Sequence, residues 1–398
     1  MAETRLALPP ANADPEGLLR LVEALEGARD GARFIGGWVR DRLLGFDAAD
    51  LDIATRLHPD QARLRAEQAG LAVWTSASGL AHGTIGVVVG GQTIEVTTLR
   101  RDVATDGRHA AVAFTEDWRL DAARRDFTIN ALSADPLSGL VHDYFDGLAD
   151  LAARRVRFIG DPRTRIAEDH LRILRFYRFQ ARFGGAEPDP PSHAACVSRA
   201  RDLMSLSRER IAAELLKILA LPDPLAVVRL MIADGLFAAV VPEIGEAGRL
   251  AALLESERAA AFPPRALRRL AALLPADPAR AEQVAARLKL SRAERRHLAL
   301  LADPADPRDG VALAYASDAA IAIDRLLLAG RPDAALRLEG WQRPRFPVSG
   351  GALIARGLTP GPVVARTLQA IEARWIAEGF PAGPRLAALV DAALAAAL

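Results

Sequence analysis

The chain has 398 residues, 51% of them hydrophobic and 25% charged, and a formal net charge of +1. That balance belongs to a globular protein with room for several buried cores, and it excludes a disordered, collagenous or strongly polybasic chain. A single cysteine, Cys196, excludes a disulfide framework and a cysteine-built metal site. No run of about 18 or more apolar residues suggests a membrane span. The polar, proline-containing stretch from Met1 to Asp14 has no signal-peptide core, so a cytoplasmic location is expected.

Along the chain, Arg33 to Ile35 reads as a short strand running into Gly36-Gly37, followed by a helix from Trp38 to Leu44 that stops at Gly45. Leu51 to Ala54 reads as a second strand, and His58 to Ala69 as a helix opening at Pro59. The β-branched runs Thr84 to Val89 and Thr93 to Leu99, joined by Gly90-Gly91, give a hairpin signal. From Arg100 to Asp121 the periodicity breaks, with Gly107 inside a charged stretch, and the segment reads as a mobile loop on the sheet edge. Residues 1–149 thus form an α+β domain, and nearly everything after them reads as helix. A helical domain is expected over 150–221, its central run Ile166 to Phe183 closing at Gly184-Gly185. Amphipathic helices punctuated by Pro263-Pro264, Pro275 and Pro304 fill 222–330. The remainder, 331–398, includes the turn Gly357-Leu358-Thr359-Pro360-Gly361-Pro362, which launches one more helix.

Chemistry concentrates in the first half. Gly36 and Gly37 stand where a strand becomes a helix, so the backbone can approach a phosphate and the helix N-terminus favours an anion. Arg40, one turn on, can add charge-assisted bonds to the same group. Alone, such a glycine pair also marks an ordinary tight turn. Asp50 and Asp52, at i and i+2 of a strand, project to one face while Leu51 packs into the opposite layer. Two such carboxylates repel unless a cation lies between them, and hard oxygens suit Mg2+. Glu95 is a third acid, in a strand whose Ile94 and Val96 face the core. Three acids on one sheet face behind a glycine turn suit two-metal phosphoryl transfer.

In Arg124-Arg125-Asp126-Phe127-Thr128-Ile129-Asn130 the polar half suggests a segment ending in a site. Arg125 can hold a phosphate or ribose and Asp126 can accept from a sugar hydroxyl; a solvated charge cluster at a helix start is the other reading. Asp169 and Arg172, three apart on a helix, form either an exposed ion pair or a base reader. Cytosine N4 and adenine N6 are amino groups for a carboxylate, while cytosine N3 and adenine N1 are acceptors for an arginine. Uracil and guanine present the opposite pattern and are repelled. Arg175 and Arg178, further round the helix, can reach the triphosphate or the RNA end.

These motifs resemble the class II tRNA nucleotidyltransferases, the group that includes CCA-adding enzymes and bacterial poly(A) polymerases. The resemblance is carried by Gly36-Gly37-x-Val39-Arg40-Asp41 with Asp50-x-Asp52, and by Arg124-Arg125-Asp126-x-x-x-Asn130-Ala131. Asp143-Tyr144-Phe145-Asp146-Gly147 with Asp150-Leu151, Glu168-Asp169-x-x-Arg172, and Ser207-Arg208-Glu209-Arg210 with Glu214 complete it, over roughly the first 220 residues. It implies a polymerase-beta-like catalytic head with a mixed sheet over 1–149. An all-helical neck for base recognition (150–221), a body (222–330) and a tRNA-binding tail (331–398) would follow. It implies Asp50 and Asp52 as magnesium ligands, with Glu95 as a further catalytic acid. It also implies Gly36, Gly37, Arg40, Arg125, Asp126, Asn130, Asp169, Arg172, Arg175 and Arg178 as nucleotide-binding residues. The expected activity is addition of CMP and AMP from CTP and ATP to the tRNA 3′ end, with Mg2+, no membrane and no obligate protein partner. A poly(A) polymerase, a CC-only or A-only enzyme, and an inactive RNA-binding module are the alternatives.

Overall fold

A computed structural model describes residues 3–7, 14–47, 50–105, 110–303 and 310–397, with backbone alone at 78, 102–105 and 110–112. They group into two compact units, Met1–Glu214 with Asp234–Val240, and Leu215–Ala233 with Val241–Leu398.

The first unit is α+β. Its strands are β1 (Ala32–Ile35), β2 (Asp52–Thr55), β3 (Ala72–Trp74), β4 (Thr84–Val89), β5 (Gln92–Thr98), β6 (Arg100–Thr105), β7 (Ala110–Phe114), β8 (Ser133–Ala134) and β9 (Val141–His142). Seven form one sheet in the order β3-β4-β5-β2-β1-β8-β9. The β2/β5 pair is parallel and the other pairs are antiparallel, so the sheet is mixed. Gly90 and Gly91 close the β4–β5 hairpin with φ of 57° and 79°, a left-handed turn that other residues resist. In β5, Ile94 and Val96 are buried while Glu95 is exposed, so the two-residue period separates core from site.

The helices of this unit are α1 (Pro15–Ala24), α2 (Gly36–Leu43), α3 (Pro59–Gln68), α4 (Ala77–Ala81), α5 (Trp118–Ala123), α6 (Gly147–Ala152), α7 (Pro162–Glu168), α8 (Leu171–Phe183) and α9 (Pro190–Ser198), with the start of α10 (Arg208–Leu219). Asp14 caps α1 by accepting from Gly17 N–H at 2.9 Å, with Pro15 in the first turn. On α8, Phe176 and Phe179 turn inward against Phe127, at ring-centroid distances of 6.5 and 5.0 Å, and leave the arginines on another face.

Two expectations are corrected. The segment Arg100 to Asp121 is a β-ribbon, β6 against β7, followed by α5; residues 106–109, with Gly107, lie outside the described residues. Its pairing shifts register between Asp102 and Ala104, and such a bulge erases the two-residue period by which a strand is recognised. The run Ile166 to Phe183 is two helices. Asp169 between them is extended, with φ −153° and ψ 106°, and its carboxylate accepts the N–H of Leu171 at 3.1 Å. That local bond competes with helix continuation.

The second unit is helical among its described residues. Its helices Gly248–Ala259, Ala266–Leu273 and Ala319–Leu328 surround an ionic core. Arg268 donates to Glu257 at 2.8 Å and to Asp324 at 2.7 Å, and Arg269 donates to Glu257 at 2.7 Å and to the carbonyl of Leu219 at 2.7 Å. Helices Pro362–Ala377 and Gly383–Ala397 share an apolar cluster of Leu353, Leu358, Ile371, Val390 and Leu394. No helix among the described residues is long and apolar enough to cross a membrane.

Candidate active site

Every candidate residue lies in the first unit. Gly36 opens α2 at φ +66°, its N–H bonded to the carbonyl of Leu132 at 3.1 Å. A Cβ on Gly36 would come 2.8 Å from a terminal nitrogen of Arg125, so that guanidinium lies against the turn. Ile35, at the N-cap, supplies no side-chain acceptor to the helix start. The half-buried Gly37 at the helix start and Arg125 beside the turn together suit phosphate oxygens.

The acids sit on the two strands next in the sheet, Asp52 on the adjacent β2 and Glu95 on β5 beyond it. Asp52 begins β2 and pairs directly with Glu95 in the parallel ladder, so both side chains leave the same face. Asp50 lies just before the strand, is exposed, and is close enough for its charge to act on Asp52. Partial burial pushes the Asp52 carboxyl up to about 6, Glu95 and Asp50 push the same way, and Arg125 opposes them. Acids that strain one another in this manner fit a divalent cation, which removes the repulsion. Among the described residues no three His, Cys, Asp or Glu groups close into a metal cage. A Mg-type ion does not require one, because it takes one or two carboxylates and completes its shell with water and substrate phosphate.

Several of the candidate nucleotide residues are bonded to each other. Arg40 is only 5% exposed; it donates to Asp41 at 2.8 Å and to Asn130, and lies 4.1 Å from the ring centre of Phe183. Asn130 in turn donates to Asp126 at 2.8 Å. Asp126, also buried, accepts Arg175 at 2.7 and 2.6 Å and the N–H of Phe127 at 2.9 Å. Burial alone would raise that carboxyl, yet Arg175 and Asn130 hold it below the usual range. A carboxylate so engaged has little acceptor capacity left for a ribose hydroxyl. Arg40, Asn130 and Asp126, all buried, and the part-exposed Arg175 thus form one bonded chain linking α2 to α8.

Asp169 and Arg172 are neighbours but not partners. Asp169 is paired with Arg210, while Arg172 donates to Glu168, to the carbonyl of Arg165 at 2.7 Å and to that of Arg124 at 3.3 Å. Arg178 donates to the buried Glu214 at 2.7 Å. Sequence reasoning missed Asp121, which accepts from Arg124 at 2.9 Å, from Arg125 at 3.3 Å and from the N–H of Arg100 at 3.2 Å. Its signal was its position three and four residues before the two arginines, the spacing at which such side chains meet around a helix end.

Paired acids on a mixed sheet, with an arginine-backed glycine turn on the neighbouring strand, mark a nucleotidyltransferase, a protein that joins a nucleotide to an acceptor hydroxyl. Comparison with known proteins narrows the class. Residues 32–157 match the Poly A polymerase head domain, and residues 187–247 match the probable RNA and SrmB-binding site of polymerase A. The chain is 35% identical over 387 residues to CCA tRNA nucleotidyltransferase 1, mitochondrial, of Mus musculus, covering 92% of this chain and 87% of that protein. It is 30% identical over 391 residues to the CCA-adding enzyme of Latilactobacillus sakei subsp. sakei, covering 91% and 94%. The Bacillus stearothermophilus CCA-adding enzyme in complex with CTP is similar in fold, with a TM-score of 0.73 at 25% identity over 94% of this chain and 97% of that one. The chain belongs to the tRNA nucleotidyltransferase family of CCA-adding enzymes. Enzymes of this family use a divalent metal.

Proposed function

We propose that this protein builds the CCA end of tRNA, adding CMP and AMP from CTP and ATP without a nucleic-acid template, with Mg2+ as the cation. The observation that carries the reading is likeness along more than nine-tenths of the chain to proteins named for CCA addition. The intact Asp52/Glu95 pair supports catalysis over the alternative of an inactive RNA-binding module, since RNA binding alone gives no reason to gather acids where phosphates must lie.

The tRNA 3′-hydroxyl attacks the α-phosphate, a P–O bond forms, and the bond to pyrophosphate breaks. Asp50 and Asp52 would hold the cation, with Glu95 beside Asp52 in the ladder. When bound, the cation lowers the pKa of the attacking hydroxyl and stabilises charge on the leaving oxygens. Gly36, Gly37 and Arg125 orient the triphosphate. Arg40, Asp126, Asn130 and Arg175 keep that turn and α8 in register, Asp169 with Arg172 reads the base edge, and Arg178, on the same helix, is within the set that contacts the triphosphate or the RNA end. The division of labour is a catalytic head (1–149), a base-reading neck (150–221), a body (222–330) and a tRNA-gripping tail (331–398). A cytoplasmic location belongs to the same proposal, in keeping with a lone buried thiol at Cys196 and a reducing compartment.

Purified protein given Mg2+ and tRNA ending at the discriminator base provides the test. CTP alone should add two residues, and CTP with ATP should complete three. Arrest after two cytidines with both nucleotides present would make it a CC-adding enzyme. Repeated AMP addition to unrelated RNA ends would make it a poly(A) polymerase.

A further inference from the structure

The segment Ser207-Arg208-Glu209-Arg210 with Glu214 carries no role in the mechanism above, yet α10 holds two of the candidate nucleotide residues from behind. Arg210 and Glu214, four apart, share a helix face. Glu214 accepts from Arg178. A single terminal nitrogen of Arg210 reaches both oxygens of Asp169, at 3.0 Å to Oδ1 and 2.8 Å to Oδ2. The N–H of Leu171 takes Oδ1 as well, at 3.1 Å.

A carboxylate offers about four acceptor directions. Oδ1 has two donors and Oδ2 has one. One direction is left, on Oδ2, which is what a single amino N–H of cytosine or adenine needs. The backbone at Asp169 is extended between two helices, so no continuous helix fixes this side chain; its two donors do. We propose that Arg210 is a positioning residue for base selection: it sets the orientation of the Asp169 carboxylate so that a base amino group is accepted and a base carbonyl is refused. Without it the carboxylate turns, and a water molecule can bridge it to the O4 of uracil or the O6 of guanine. Because one nitrogen makes both contacts, a lysine ammonium can replace much of the function. The inference rests on the reading that Asp169 faces the base edge.

The experiment measures kcat/KM for CTP and for UTP with tRNA in Arg210→Ala, Arg210→Lys and Asp169→Ala, with Tm as a check on folding. Arg210→Ala is expected to lower the CTP:UTP ratio about tenfold, within the range that one bidentate contact discriminates. Arg210→Lys should keep most of the ratio, and Asp169→Ala should lose it. If Arg210→Ala does not fold, Arg210→Gln reads the same ratio. An unchanged ratio in the folded Arg210→Ala or Arg210→Gln protein, whether or not the CTP rate falls, overturns the proposal, because Arg210 is then only scaffold. An unchanged ratio in Asp169→Ala would instead remove the base-edge reading itself, a distinct failure.

Discussion

Partial burial, with Glu95 across the ladder and Asp50 just before the strand, pushes the Asp52 carboxyl up to about 6 from an ordinary 3.8. Because the folded value is raised, the contribution of this group to stability is whole below the ordinary carboxylate range and is lost as pH rises through about 6. Without a divalent cation the protein therefore holds an ill-solvated charge at pH 7.5. Asp52→Asn removes that charge and should raise the metal-free Tm at this pH. Solvent reaches the group, so the gain is on the order of 1 kcal/mol rather than the full value of the shift. The same substitution should lower CMP and AMP incorporation by on the order of a hundredfold or more, since a cation ligand is gone. Calorimetry in chelator together with a primer-extension assay checks both, and a lower Tm or a retained rate would contradict the placement of Asp52. With the cation kept limiting, activity should fall as pH drops through about 6, and excess cation should move the fall to lower pH. Asp169→Ala, by contrast, should act on base choice and cost about 1–3 kcal/mol of discrimination against UTP and GTP.

Elements were legible in the sequence where one local rule acted alone. The β4–β5 hairpin follows from β-branched alternation and a glycine pair, and α3 from Pro59 in its first turn. Where two rules competed, the sequence misled. Helical periodicity runs unbroken from Ile166 to Phe183, but the Asp169 side chain takes a backbone N–H and splits it. Bulged pairing hides the β6–β7 ribbon, and β8 and β9, two residues each, are too short to show a period. The acids, the glycine turn and the arginines were legible as residue types, whereas the bonding of Arg40 and Asp126 to neighbours was not, because it joins segments far apart in the chain. The ribbon bears on the order of addition. Its first residue, Arg100, is tied through its N–H to Asp121, which also holds Arg125. A change in the ribbon can thus reach the phosphate turn through one carboxylate. Excising 102–109 should leave addition of two cytidines largely intact and remove the terminal AMP. Gel resolution of products with both nucleotides decides it: equal loss of C and A addition means a collapsed head, and full CCA ends mean the ribbon takes no part in the switch.

At the scale of the whole molecule the candidate nucleotide residues fall in Met1–Glu214, while the second unit is organised around a feature that no hydrophobic pattern reveals. Arg268, Arg269, Glu257 and Asp324 are each 3% exposed or less. Sequence reasoning places such residues on surfaces, since charges enter a core only when paired and bonded. Glu257 serves both arginines, and Arg269 also satisfies the carbonyls of Leu219, Leu221 and Pro222 beyond the last turn of α10. Glu257→Ala leaves two buried guanidiniums short of their shared acceptor, a loss of about 3–5 kcal/mol. The half-exposed pair of Arg295 and Glu282 gives the contrast: Arg295→Ala removes a solvated contact and should cost well under about 1 kcal/mol. Calorimetry should accordingly show a transition lowered by several degrees for Glu257→Ala and almost unmoved for Arg295→Ala. Titration with CTP below that transition separates the units by function, because the acids and the phosphate turn are built wholly from the first. CTP affinity should survive Glu257→Ala while use of tRNA declines. Parallel loss of CTP affinity would mean that the two units fold as one cooperative block, and that the ionic core supports the catalytic head as well as its own helices.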